Sequence, residues 1–320
     1  MFDRCYRRFK IDIIIIILYN CCMITLLSDK LFVSGNANPN NSEKVHTSRI
    51  MQAVKPYFLS AYTQGSSYDK ATRVIQGQRY SVERANHGLA HGLRQGLLAK
   101  DIFIFLIQYL MTDSTGIVEW AQRKSKTDPF WIEKIQLAAS FQRSGRQSEC
   151  SSTHNLELYK QYERQDAVYF NQYAQNCPLF TGDLERSVFA EAILWLNPGN
   201  LDENQVEDLK YLRRIFHAAH TLDLRRIRGF DGTRIQKEAM DQLFGGALPI
   251  ESGSIIRLLW NRSGEYLRAT GDRDLVNQRP FQDAFFTQSH NPSTLVDAIH
   301  SVAENAFFES SSQTQIKCAL

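Results

Sequence analysis

The chain has 320 residues and a formal net charge of +3, with 37 Lys and Arg against 34 Asp and Glu. Hydrophobic residues make up 43% and aromatics 11%, which excludes wholesale disorder and suffices for a sizeable core. The near balance of charge excludes a global field that would draw the chain to nucleic acid, so any anion site must be local.

The N-terminus opens with Arg4, Arg7, Arg8 and Lys10, then an apolar run over 13–27 interrupted by Asn20. The run is short for a membrane span. Its layout fits a signal peptide or a short anchor that brings residues 13–27 to a membrane, and a start codon misplaced upstream of Met23 or Met51 fits equally well. Residues 34–42 have the composition of a linker. Residues 1–48 are therefore set outside the fold.

From there the periodicity is helical. Residues 102–111 form a nearly continuous apolar run, predicted as a buried helix. Further helices are predicted at 131–141, 155–177 and 183–196, the last stopped by Asn197-Pro198-Gly199. Helices follow over 206–228, 234–244, 254–266 and 292–308. Gly229 to Gly232 and Gly245-Gly246 punctuate the series. Period-two alternation is scarce, so no substantial sheet is expected. No solenoid-type repeat occurs. The expectation is one all-α domain over 49–308, followed by a polar tail over 309–320. The six cysteines form no CxxC pair, so neither a zinc knuckle nor a disulfide framework is indicated. Cys318 lies one place late for a prenylation box.

Three segments can carry chemistry. In Asn86-His87-Gly88-Leu89-Ala90-His91-Gly92-Leu93-Arg94, a helix would bring His87, His91 and Arg94 onto one face and Leu89, Leu93 and Leu97 onto the other. Two groups that titrate near neutrality and one permanent cation suit phosphate chemistry, and paired histidines at i, i+4 can also hold a metal. Glycines at 88, 92 and 96 each cost about 1 kcal/mol against Ala in a helix, and their spacing suits close approach of another backbone. Arg73, Arg79 and Arg84 lie just upstream. The second segment, 141–150, carries Arg143 and Arg146, which can fork onto phosphate oxygens, and Glu149, which can hold a histidine in its working tautomer. A solvated turn with an incidental charge pair is the plainer reading of it. The third, 213–226, has His217 and His220 three apart, flanked by arginines through Arg226. Together they fit phosphoryl transfer without an obligatory metal or other cofactor. One histidine attacks phosphorus, another protonates the leaving oxygen, a carboxylate orients a histidine, and arginines stabilise developing charge.

These segments, in this order and approximate spacing, resemble the phosphodiesterase domain of SidE-type bacterial effectors over roughly residues 55–305. The resemblance implies an all-helical domain acting on ubiquitin whose arginine carries ADP-ribose. Such domains cleave the pyrophosphate and transfer phosphoribosyl-ubiquitin to serine or to water. Stand-alone, Dup-like relatives remove phosphoribosyl-linked ubiquitin from serine. By resemblance His87 is the nucleophile, Glu149 the acid supporting a catalytic histidine, and His220 the second histidine. Spacing from Glu149 alone would allow His217. His91, Arg94, Arg84, Arg143, Arg146, His217 and Arg226 are then expected around the phosphate. The implied setting is a secreted effector in a host cell, with ubiquitin and serine-modified host proteins as partners.

Beside such a domain the chain leaves no room for the ADP-ribosyltransferase domain of effectors that modify ubiquitin outright. Hydrolysis of the serine linkage is therefore favoured over ligation from ADP-ribosylated ubiquitin. A metal phosphohydrolase of the HD type is the second enzymatic reading, although no His-Asp dipeptide occurs. A non-catalytic module binding ubiquitin is the third.

Overall fold

The computed structural model describes residues 49–58, 71–75, 78–82, 88–108, 116–146, 156–196, 199–202, 206–226, 231–246 and 252–270. The apolar run at 13–27, the linker, Arg84, His87, Glu149, the helix expected at 292–308 and the polar tail lie outside the described residues.

The described body is helical, as the periodicity predicts. Helix α1 spans residues 49–58. A two-stranded antiparallel hairpin follows, β1 (Ala71–Ile75) on β2 (Gln78–Val82), with Arg73 opposite Tyr80 and Val74 opposite Arg79. Then come α2 (Leu89–Gln108), α3 (Gly116–Thr127), α4 (Trp131–Ser140), α5 (Leu156–Ala174), α6 (Asp183–Ala192), α7 (Glu207–Asp223), a 3-10 turn at Leu224–Arg226, α8 (Gly232–Phe244) and α9 (Ser252–Ala269).

Helix α2 is the axis of the fold. The histidine-bearing stretch and the apolar run after it are one continuous helix, packed against α3, α4, α7 and α9. Leu93, Leu97, Ile102, Phe103 and Leu106 are buried on it, and so are His91, Arg94 and Gln95. Over residues 91–99 every side of the helix is buried, so the polar face there must find its partners inside the protein. The glycines permit the close approach that their spacing predicts. A Cβ at Gly92 would sit 2.6 Å from the Ser140 carbonyl oxygen, and one at Gly96 would sit 2.6 Å from that of Gln136. Helix α4 therefore lies almost backbone to backbone on α2.

An aromatic cluster closes the core beside this axis. Trp120 of α3 meets Phe103 and Trp131 edge-on, and Phe189 of α6 packs on both Trp131 and Phe180. Phe170 of α5 joins Phe141, Phe180 and Phe189. Such pairs add about 0.5–1.5 kcal/mol each beyond area burial. Trp120 also donates its indole N–H to Asp208 at 2.8 Å, and Lys124 reaches the same carboxylate at 2.6 Å, which ties α3 to the first turn of α7.

Two helix ends differ from expectation in ways that shape the site. Helix α6 stops at Ala192 rather than running to 196. The turn that follows carries Trp195 half-buried onto the histidines of α7. Helix α7 tightens into the 3-10 turn after Asp223, which swings Arg226 back over that residue. Helix α8 begins on Asp231, whose side chain accepts from the Thr233 N–H at 2.9 Å, and ends on Gly245 in the left-handed region at φ 70°.

Candidate active site

Helices α2 and α7 cross so that residues about 130 apart in sequence meet. Asp223, the last residue of α7, is fully buried. Its Oδ2 accepts from His91 Nδ1 at 2.6 Å, and its Oδ1 accepts from Arg94 Nε at 2.7 Å. Arg94 Nη2 adds a contact to Oδ2 at 3.3 Å, while Nη1 donates to the Thr270 hydroxyl at 2.7 Å. Arg226 Nη1 lies 3.3 Å from Oδ2 and donates to the Asp223 carbonyl at 2.8 Å. Burial alone would raise the Asp223 carboxyl; Arg94, Arg226 and the His91 hydrogen bond hold it below the usual carboxylate range. A charged carboxylate only accepts, so Nδ1 of His91 carries the proton. Burial, then Arg226, keep His91 well below its ordinary value despite the hydrogen bond to Asp223.

His220 lies one turn back on α7. Its Nδ1 is 2.5 Å from Gln95 Nε2 of α2. The His91 ring meets it edge to face at 5.5 Å, and Trp195 does so at 4.9 Å. The residue is 8% exposed. Burial depresses its basicity, and the nearby Arg143, His91, Arg226 and His217 depress it further. His217 is only half-buried; it stacks on Trp195 at 4.2 Å and contacts the Leu194 carbonyl through Nε2 at 3.5 Å.

Arg143 and Arg146 sit on the turn after α4. That turn is buried against α5, unlike the solvated turn the sequence also allowed. Arg143 adopts φ 72°, a conformation unfavourable for a non-glycine residue. It is held there by Asp166 of α5, whose carboxylate accepts from the N–H groups of Arg143 at 2.9 Å and Gly145 at 2.6 Å. Glu163, one turn earlier, accepts from Arg143 Nη1 at 3.2 Å and from the Leu196 N–H at 2.7 Å. These two acids thus fix both the arginine turn and the Trp195 turn. Burial pushes Asp166 up to about 7, against the opposing pull of Arg143 and the two amides. Both guanidinium groups lie over the Tyr159 ring, at 4.7 and 5.1 Å.

Of the residues expected from sequence, the structure thus gathers His91, His217, His220, Arg143 and Arg226 around one locus. Arg94 supports that locus from behind, through Asp223. Arg146 stacks on Tyr159 beside Arg143. His87, Arg84 and Glu149 lie outside the described residues. Asp223, Gln95, Trp195, Glu163 and Asp166 were not singled out beforehand. Helical spacing carried a signal for some of them: Gln95 is four residues from His91, Asp223 three from His220, and Glu163 and Asp166 three apart. Among the described residues, no three His, Cys, Asp or Glu side chains converge on a metal position. No described helix is long and apolar enough to cross a membrane.

Residues 61–276 match the family model described as the SidE phosphodiesterase (PDE) domain. Solved structures with the same fold include lpg1496 of Legionella pneumophila under 300 MPa, at 18% identity and a TM-score of 0.52, covering 80% of this chain and 95% of that one. The C-terminal domain of lpg1496 in complex with nucleotide matches at 18% identity and a TM-score of 0.52, over 80% and 96% of the two chains. No curated protein sequence matches.

Proposed function

The chain belongs to the SidE phosphodiesterase domain family, a phosphodiesterase-type effector family, and from that premise we propose that it hydrolyses the phosphoribosyl–serine linkage and so releases ubiquitin from modified proteins. The observation that carries the reading is His220: a histidine fixed by Gln95, His91 and Trp195 within reach of the charges of Arg143 and Arg226. Such a group is positioned to move a proton at a phosphate whose charge the arginines balance. His217 is half-buried and stacks on Trp195, which favours His220 as the second catalytic histidine.

In the proposed reaction His87 attacks phosphorus, and the bond from phosphorus to the leaving oxygen breaks. His220 gives that oxygen its proton. Water then displaces phosphorus from His87 and yields its proton to His220. Glu149 holds one of the histidines in its tautomer, and Arg143, Arg146, Arg226 and Arg84 balance the phosphoryl charge with His91 and His217 nearby. His87, Glu149, His220 and Arg226 all fall within the matched span. A nucleotide complex of a protein with this fold supports a phosphate-bearing ligand of that class. Ubiquitin and serine-modified host proteins are the proposed partners.

The test is incubation with serine-linked phosphoribosyl-ubiquitin and, separately, with ADP-ribosylated ubiquitin, reading products by mass. Release of phosphoribosyl-ubiquitin from serine, abolished in His87→Ala, is the expected result. New serine conjugates from ADP-ribosylated ubiquitin would assign ligation instead. Full activity of His87→Ala would sink the mechanism.

A further inference from the structure

Among the described residues, the side chain that meets Nδ1 of His220 is an amide. Gln95 is completely buried, its Nε2 lies 2.5 Å from Nδ1, and its Oε1 has no partner among the described residues. A carboxamide at this position has a property that no carboxylate shares. With nitrogen toward Nδ1 it donates to a neutral ring that carries its proton on Nε2. With oxygen toward Nδ1 it accepts the Nδ1–H of either an imidazolium or a neutral ring with a lone pair on Nε2. Because Oε1 is engaged by no described group, a turn of the amide breaks only the bond it remakes.

We propose that Gln95 is the positioning residue for proton transfer by His220, turning its carbonyl oxygen onto Nδ1 so that Nε2 is the atom that gives and takes the proton. The proposal rests on the reading of His220 given above. In the first step His220 reacts in its protonated form, which its lowered basicity makes the stronger acid: it gives its Nε2 proton to the leaving oxygen as the phosphorus–oxygen bond breaks, and Nδ1–H stays on Oε1. In the second step the neutral ring takes a proton on Nε2 from the attacking water. The new phosphorus–oxygen bond forms, the phosphorus–nitrogen bond to His87 breaks, and the imidazolium is restored.

Charge explains why the orienting group is neutral. Facing His220 are Arg143 from the turn after α4, His91 from α2, Arg226 from the 3-10 turn and His217 from α7 itself. His91 is already paired with Asp223, whose charge is shared with Arg94 and Arg226. A carboxylate at position 95 would bind the imidazolium strongly and hold its proton against transfer. The amide orients the ring without that penalty. Trp195 and His91 then bar the ring from rotating away.

The test compares Gln95→Met, which keeps side-chain volume and removes the hydrogen bond, with Gln95→Glu, which makes the partner anionic. Gln95→Met is expected to lower kcat about 10- to 100-fold while leaving KM within about 2-fold, in line with losses from outer-shell partners. It should also lose the fixed tautomer of His220 in nitrogen-15 NMR of the ring. Gln95→Glu is expected to raise the His220 titration in the same spectra and to displace the pH–rate profile upward with it. Unchanged kcat and tautomer in Gln95→Met, or an unmoved titration in Gln95→Glu, would overturn the proposal. If Gln95→Glu does not fold, Gln95→Met decides alone. If wild type turns over no phosphodiester, the functional reading fails, whereas the ring spectra still decide whether Gln95 sets the tautomer.

Discussion

The most informative substitution for the architecture of the site is Asp223→Asn. The side-chain volume is kept, so no cavity opens, and the change is in charge and in the number of acceptor atoms. Asp223 is fully buried and faces His91 at 2.6 Å, Arg94 at 2.7 Å and Arg226 at 3.3 Å. Removing the one carboxylate leaves two buried guanidinium groups without their shared counter-charge. Breaking a buried ion pair by removing one partner costs about 3–5 kcal/mol, mostly the desolvation of the charge left behind. For a domain of this size each kcal/mol lowers Tm by about 2–4 °C, so the expected drop is about 6–20 °C. Urea unfolding at constant m-value measures the same loss directly. The cycle with Arg94→Met gives the cause. The double variant should be more stable than the sum of the two singles by about 1–3 kcal/mol, because one orphaned cation has been removed. The pH dependence has a fixed sign. The Asp223 carboxyl is held below its unfolded value, so its contribution is present above about pH 3.9 and is lost as pH falls further. A loss smaller than about 1 kcal/mol, or strict additivity with Arg94→Met, would refute the reasoning.

Other substitutions test neighbouring parts of the same account. His91 and His220 both have lowered pKa values in the fold, so their contribution is intact above the unfolded value of about 6.5 and is lost as pH drops below it; His220→Gln should make the acid decline of Tm shallower. Asp166 has the opposite sign, being raised to about 7. Its contribution is present below the unfolded carboxyl value and is lost as pH rises through about 7, so Asp166→Asn should steepen the decline on acidification. The same variant turns an amide nitrogen toward one of two backbone donors and should lose about 1–3 kcal/mol near neutrality by urea unfolding. Gly96→Ala would gain about 1 kcal/mol from helix propensity alone. Its Cβ meets the Gln136 carbonyl at 2.6 Å, so the net expectation is a loss of about 1–3 kcal/mol, and a rise in Tm would disprove the backbone-to-backbone packing of α2 on α4.

The helical class was legible because periodicity is a local signal. Helices α4, α5, α7 and α8 fall within a few residues of where the spacing predicts them. The glycines of α2 were legible for the same reason: repetition at four residues lines one side of a helix, whatever packs there. What escaped was tertiary. The segment bearing His91 and the apolar run after it read as two features because the sequence does not say that a polar face can be buried. It is buried because Asp223, from α7, arrives to accept from both His91 and Arg94. The end of α6 falls short of the expected 196 because helical spacing in the sequence persists beyond Ala192, where the helix stops. Asp166 and Glu163 drew no notice because nothing local ties α5 to the turn at Arg143.

The same facts account for the unusual expense of this site in buried charge. Arg94, Asp223, Arg143, Glu163 and Asp166 are each at most 5% exposed, and each is engaged with another of the set or with backbone. A fold selected for stability alone would replace such groups with apolar ones of similar volume, often at no loss. What the charges supply here is geometry. Asp223 fixes a tautomer of His91, His91 and Trp195 wall in His220, and the α5 carboxylates hold Arg143 in a backbone conformation it would otherwise leave. Among the described residues, His220 and Arg143 are therefore oriented before substrate arrives, and preorganised dipoles and charges are the larger part of what an enzyme offers a phosphoryl transition state.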